Sequence, residues 1–177
     1  MRKHSSTQAS EGLSDSRKDI RRLIRTGFFI VVSLWVMFAL IIGVKTTPTP
    51  DMSPTLKLGD KVIYSRVDKK PIAKDVIVLR KDGDEFISRV VAIPGDTVEI
   101  TEEGNLIVNG NLIVDEKIST PTYPALEKQS YPVTLGTKEY FVLGDNRLNS
   151  VDSRYFGIVK ANEIKGTLIM VIRLYNF

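Results

Sequence analysis

No cysteine occurs in the 177 residues of the chain. Disulfides and thiolate metal sites are therefore excluded, and the redox compartment leaves no mark on the sequence. Histidine is nearly absent as well: His4 is the only one, so everything after it lacks an imidazole. Charge of either sign is missing between residues 26 and 44. Excess charge is missing from the long remainder, where residues 45–177 hold eighteen basic and eighteen acidic side chains. The formal net charge of +4 belongs to residues 1–25, with seven Lys or Arg against three Asp or Glu. A basic tail of that length is not a nucleic-acid-binding surface, and no nucleic-acid partner is expected. Helical periodicity is also missing outside the uncharged run, which turns the reading toward strands.

The uncharged run itself, residues 26–44, contains FFIVVSLWVMFALII. Its nineteen residues span roughly 28 Å as a helix, close to the hydrocarbon thickness of a bilayer. A core helix of a soluble domain would show a polar face, and this run shows none. A cleaved signal peptide would have a shorter apolar region and a small-x-small exit, which Ile42-Gly43-Val44-Lys45 does not offer. The reading is an uncleaved, single-pass signal anchor. Arg17, Lys18, Arg21, Arg22 and Arg25 crowd its N-terminal flank. They should stay in the cytoplasm beside anionic lipids and place residues 45–177 outside the cell membrane. Residues 1–15 are polar and Ser-rich and are expected to be unstructured. Three parts follow: a cytoplasmic basic tail (1–25), a transmembrane anchor (26–44) and an extracellular β domain (45–177).

Residues 46–50, TTPTP, form a stiff extended exit, because each proline fixes φ and disfavours helix before it. Beyond them, residues 61–67, 75–80, 86–93 and 97–100 are short Val/Ile-rich runs bounded by Gly, Pro and Asp, which is strand patterning. Leu106-Ile107-Val108 and Leu112-Ile113-Val114 flank Asn109-Gly110, a hairpin signal because both turn residues accept φ > 0. Residues 120–132 carry three prolines and read as a loop or small cap, and residues 139–143 and 166–174 supply late strands. The expected fold class is mainly β: one antiparallel domain behind one N-terminal transmembrane helix.

Three ordered stretches carry chemistry: DMSPTLKLGD (51–60), FISRVVAIPGD (86–96) and GDNRLNSVDSRYFG (144–157). The last is dense in opposite charges between glycines, which predicts a turn network in which carboxylates and guanidinium forks satisfy one another. Asp152 and Arg154 are expected to form its structural ion pair, with Arg89 or Asp145 adjacent. The three stretches together resemble the type I signal peptidases, and the resemblance covers nearly everything from about residue 46 onward. The short insertion between the second and third stretches is similar to the Gram-positive branch. The resemblance implies a coiled, barrel-like β-sheet, no cofactor and no metal. It also implies a Ser nucleophile in the first motif and, before Arg-Val in the second, a Lys whose amine is the general base. Such a dyad works because a lysine stripped of solvent has a depressed pKa. The nucleophile's N–H, with a hydroxyl two residues earlier, makes the oxyanion hole.

Carried over residue by residue, the resemblance departs at both reacting positions. Met52, Pro54, Thr55 and Leu56 match the first motif, but Asp51 stands at the nucleophile position. Arg89 and Val90 match the second, but Ser88 stands at the lysine position. Thr49 falls at the oxyanion-hydroxyl position, and Ser150, Asp152 and Arg154 match the third motif. Ser53 lies two positions from the nucleophile and points elsewhere, while Lys57 and Lys61 are expected to be solvated. An aspartic mechanism would need a second carboxylate sharing a proton with Asp51, whereas Arg147, Arg154 and Arg89 are expected to hold Asp145 and Asp152 ionised. Asp51 reads as a polar cap of a vacated cleft, hydrogen-bonded to Ser88 and Ser150. The implied role is that of the dyad-less signal-peptidase-like proteins: non-catalytic membrane factors in surface pilus assembly. Their expected partners are pilin or other exported surface-protein segments and the sortase machinery. The alternatives are an active, serine-type signal peptidase with a rearranged site, cleaving signal peptides of exported proteins, and a purely structural membrane protein.

Overall fold

The computed structural model describes residues 5–115, 118, 120–125 and 130–173, with side chains from residue 20 onward. His4 and Leu174 lie outside the described residues. The chain divides into two units, residues 1–40 and residues 41–177.

The described part of the first unit belongs to helix α1, Ser5–Ile41. Its stretch Ile20–Ile41 has a mean hydropathy of 2.1 and is long and apolar enough to cross a membrane. Phe28, Phe29, Trp35 and Leu40 stand exposed along it. Two expectations shift here. The polar segment after residue 4 was expected to be unstructured, yet the helix begins at Ser5; once a long helix is nucleated, each added residue gains a hydrogen bond for one residue fixed. The apolar run was expected to stay helical through Val44, yet the helix stops at Ile41. Ile42, Gly43 and Val44 instead open strand β1, Ile42–Thr46. β-branched side chains fit a pleated surface, and glycine is a poor helix former. Gly43 is demanded by packing: a Cβ there would lie 2.1 Å from the Tyr64 ring.

The second unit is antiparallel β. Strands β2 (Lys61–Ser65), β3 (Val76–Lys81), β4 (Asp84–Ala92) and β5 (Thr97–Ile100) follow the Val/Ile-rich runs. β6 (Leu106–Val108) and β7 (Asn111–Leu112) are joined through Asn109 and Gly110, whose φ values of 52° and 77° are those the hairpin turn requires. β8 (Val133–Thr134), β9 (Glu139–Leu143), the single turn α2 (Ser153–Phe156), β10 (Val159–Lys160) and β11 (Ile164–Ile172) complete the order. The large sheet runs β1-β2-β11-β3-β4-β9-β10 and the small one β7-β6-β5-β8.

The large sheet curls. β1 and β4 are separated by three strands in the sheet order, yet Lys45 Nζ of β1 lies 2.8 Å from Glu85 Oε2 of β4. Inside the curl sit Met52, Leu56, Val62, Val76, Val78 and Ile87. A second cluster built on Ile77, Leu79, Val90 and Val142 joins β3, β4 and β9. A third, with Val98, Leu106, Phe141 and Leu143, fastens the small sheet to β9. Burying these side chains drives the curl, at roughly 1.5–3 kcal/mol for each large apolar group fully removed from water.

Two strand edges remain open. The Thr47 N–H bonds the Asp60 carbonyl and the Arg66 N–H bonds the Ile41 carbonyl, so the odd-numbered residues of β1 turn their backbone toward β2. Val44 and Thr46 therefore turn theirs outward. On β4, the Val90 N–H bonds the Asp75 carbonyl, so Glu85 and Ile87 face away from β3. β9 covers only Arg89, Val90 and Ala92 on that side. Among the described residues, no strand pairs with the outward groups of Val44, Thr46, Glu85 or Ile87.

Candidate functional site

The site forms where the loop leaving β1 meets the loop leaving β9. Asp51 presents its carbonyl to the Asn146 N–H at 2.9 Å, and Asn146 Nδ2 reaches the Pro50 carbonyl at 3.4 Å. Gly144 makes this approach possible, because a Cβ there would sit 2.3 Å from the Ser150 Cβ and 2.7 Å from the Asp51 carbonyl oxygen. Met52 and Leu56, both buried, anchor the first loop in the apolar cluster beneath.

Asp152 organises the second loop. Its side chain is fully buried and accepts from Gly144 N–H (3.0 Å), Ser150 Oγ (2.7 Å), Arg154 N–H (3.2 Å), Arg154 Nε (2.8 Å) and Arg154 Nη2 (2.8 Å). The backbone bond caps α2, and the guanidinium fork makes the charge-assisted pair expected from the sequence. Arg154 also donates to Ser150 Oγ at 3.0 Å and to the Tyr123 carbonyl at 3.2 Å. Ser153 Oγ accepts from the Val142 N–H at 3.0 Å, tying α2 to β9. Beside this network Arg89 grips Asp145 in a fork at 2.7 and 2.6 Å and donates to the Lys74 carbonyl. Arg147, also buried, holds the Gly144 carbonyl and the Thr122 hydroxyl. Asp145 and Asp152 are thus each held by an arginine, as the charge pattern predicts, with Arg89 on Asp145 and Arg154 on Asp152.

Asp51 differs from expectation. Its half-buried carboxylate has the Thr49 hydroxyl and the Val151 backbone N–H as the groups that favour its charged form, not Ser88 and Ser150. Ser150 is unavailable, since it gives its proton to Asp152. Ser88 is buried on β4, opposite Ile77, on the alternate side of the strand from Ile87 and Arg89. The structure therefore gathers Thr49, Asp51, Met52, Ser150, Asp152 and Arg154 around the two loops and seats Arg89 on neighbouring Asp145. It does not join Ser88 to Asp51. The role of Val151 escaped the sequence reading because a backbone N–H carries no residue-type signal; only the closing of the loop on Asp51 exposes it. Lys57 and Lys61 are exposed, as expected.

Burial pushes the Asp51 carboxyl up; the bonds from Thr49 and Val151 oppose this and the charge of Asp152 adds to it. A proton shared with Asp152 would have to displace one of the donors already bound there. The raised folded value fixes a sign. Stability from the protonated group is present below its unfolded value of 3.8 and is lost as pH rises through the folded value. Asp51→Asn should therefore melt increasingly above wild type as pH rises from 3 and then hold a constant advantage. Thermal melts at fixed ionic strength check this, and an advantage that shrinks with rising pH contradicts it. Among the described residues, no group of three His, Cys, Asp or Glu could hold a metal ion.

Comparison with known proteins gives a consistent family. The model described as "Signal peptidase, peptidase S26" matches residues 20–173. The probable signal peptidase I-2 of Synechocystis is 33% identical over 72% of this chain and 64% of its own length. Signal peptidase I S of Bacillus subtilis is 33% identical over 71% of this chain and 73% of its own. The crystal structure of a signal peptidase I from Enterococcus faecalis, 30% identical, superposes with a TM-score of 0.45, covering 58% of this chain and 99% of that one. The chain belongs to the signal peptidase family, peptidase S26.

Proposed function

We propose that this chain is a membrane-anchored, non-catalytic member of the family that receives extended segments of exported proteins. Its place is surface pilus assembly, with pilin or related surface-protein segments and the sortase machinery as partners. The observation that carries this reading is the chemistry around Asp51. At the position where the family motif has its nucleophile stands a half-buried carboxylate beside Thr49 and Val151, and Ser88 stands at the position of the base. The supporting arginines, carboxylates and Ser150 are retained as a structural network. Binding needs none of the missing groups. The outward backbone of Val44, Thr46, Glu85 and Ile87 offers hydrogen bonds to an added strand, the usual mode for extended peptides.

The test uses the full chain in proteoliposomes with a translocated preprotein and a pilin-derived peptide. Retention without cleavage is expected. The rearranged, catalytically active reading is favoured by relatives named signal peptidase I, and cleavage by the unmodified chain would establish it in place of ours. For topology, the basic flank keeps the N-terminus cytoplasmic and the β domain outside, as a single pass. Protease added to intact protoplasts should remove the β domain, and its full protection would refute that orientation.

A further inference from the structure

Two open edges that receive a strand must be held in register before the strand arrives. Across the slot between β1 and β4 the structure provides a connection that is not backbone. Lys45 is in register with buried Val62, so its side chain lies on the inner face of the curl. Glu85 shares that face with Ile87. The two meet at 2.8 Å, with side chains 17% and 33% exposed. Glu85 has a second cationic partner, Arg80, at 2.8 Å. Arg80 is its cross-strand neighbour on β3, so that pair lies within one hairpin and does not cross the slot. The same carboxylate thus carries one ion pair that bridges the gap and one that does not.

The geometry points to the Lys45–Glu85 ion pair as an electrostatic latch that holds the β1–β4 slot shut and regulates access to it; this rests on the strand-receiving function proposed above. An incoming extended peptide turns alternate side chains inward. The one that lands at this level meets the ion pair, and the others meet a floor already filled by Met52, Leu56 and Ile87. Opening the latch leaves Glu85 with Arg80 and Lys45 with solvent, so no charge is stranded. A partly exposed pair of this kind changes an equilibrium by roughly two- to fivefold, which suits a reversible closure.

The chain has no cysteine, so a single introduced thiol reports on the slot without background. Ile87, 6% exposed on the open edge of β4, is the position for it. In the full-length chain in detergent micelles, Ile87→Cys should react with a maleimide about two- to fivefold faster when Lys45→Met is added. High salt should produce a similar rise only while Lys45 is present. Arg80→Met, which removes the pair that does not cross the slot and the partner Glu85 keeps on opening, should not raise the rate. Melting curves of each variant confirm that reactivity does not come from unfolding. Equal rates with and without Lys45, or equal acceleration by Arg80→Met, overturn the latch. A fluorescent decapeptide of alternating Ala and Val then separates the two readings. Tighter binding to Lys45→Met by the same factor supports both. Thiol rates that respond as expected without any peptide binding uphold the latch and defeat the proposed function. Peptide binding with unresponsive thiol rates does the reverse.

Discussion

Asp152→Ala should lower the unfolding free energy of the β domain by roughly 3–5 kcal/mol, the cost of stranding one member of a buried ion pair. The carboxylate is fully buried and receives five hydrogen bonds from Gly144, Ser150 and Arg154. Alanine leaves the Gly144 N–H without its acceptor and the Arg154 guanidinium with only Ser150 and the Tyr123 carbonyl. It also removes the cap of α2, which contributes about 1 kcal/mol in comparable helices. These losses overlap because they share one side chain, so the ion-pair figure bounds the effect better than their sum. For a domain of this size the melting temperature should fall by roughly 10–20 °C. Asp152→Asn keeps the shape and some of the bonds and should lose less. Asp84→Ala, at an exposed position, should stay within about 0.5 kcal/mol of wild type. Circular dichroism melts of the full chain settle the matter, and an Asp152→Ala variant melting within a degree of wild type would show that the loop does not depend on this carboxylate.

A larger effect, in rate, is expected from placing at positions 51 and 88 the serine and lysine that the motif resemblance implies. Asp51→Ser alone should not cleave a preprotein, because a hydroxyl without a base is a poor nucleophile. Ser88→Lys alone should not cleave either, because position 51 then offers a carboxylate and no hydroxyl for the amine to activate. In a serine protease of another fold, losing either member costs on the order of 10⁶ in kcat, so each single variant should be indistinguishable from background. The double substitution supplies both groups, and a lysine side chain, three bonds longer than serine's, extends the reach of position 88 beyond that of the Ser88 hydroxyl, which does not meet Asp51. Position 88 is 1% exposed, and burial there disfavours the charged amine and leaves it a base. Slow cleavage from the double variant alone is expected, read by mass spectrometry of a preprotein substrate. A folded double variant with no activity would mean that the groove or the oxyanion hole has also changed.

Much of this was legible in the residues. Asp152 and Arg154, two apart in a glycine-bounded loop, announce their own pairing, and Asn109-Gly110 fixes a hairpin by turn chemistry alone. Residues 97–100 and 139–143 are strands to the residue. What escaped is what side-chain type does not encode. β1 was hidden because Ile42 and Val44 read equally well as the end of an apolar helix; the choice is made by Tyr64, which covers Gly43 from the neighbouring strand. The motif offers Ser150 as a partner for Asp51, but that hydroxyl is already committed to Asp152. Lys45 and Glu85, forty residues apart, show no sign in sequence of meeting.

β11 has a further consequence, for the order of events at the ribosome. β11, the last strand among the described residues, lies in the middle of the large sheet, hydrogen-bonded to β2 on one side and β3 on the other. Until residue 172 has been made, β2 and β3 each lack a neighbour, and the sheet exists only as two separate pieces, β1-β2 and β3-β4-β9-β10, with exposed edges. At 5–20 residues per second, about 5–20 s separate the synthesis of β3 from that of β11. Throughout that interval the nascent chain exposes the kind of unpaired edge that invites aggregation. The sheet cannot close without β11, so a premature stop before Ile164 would release a product with β2 and β3 unjoined rather than a slightly shortened domain.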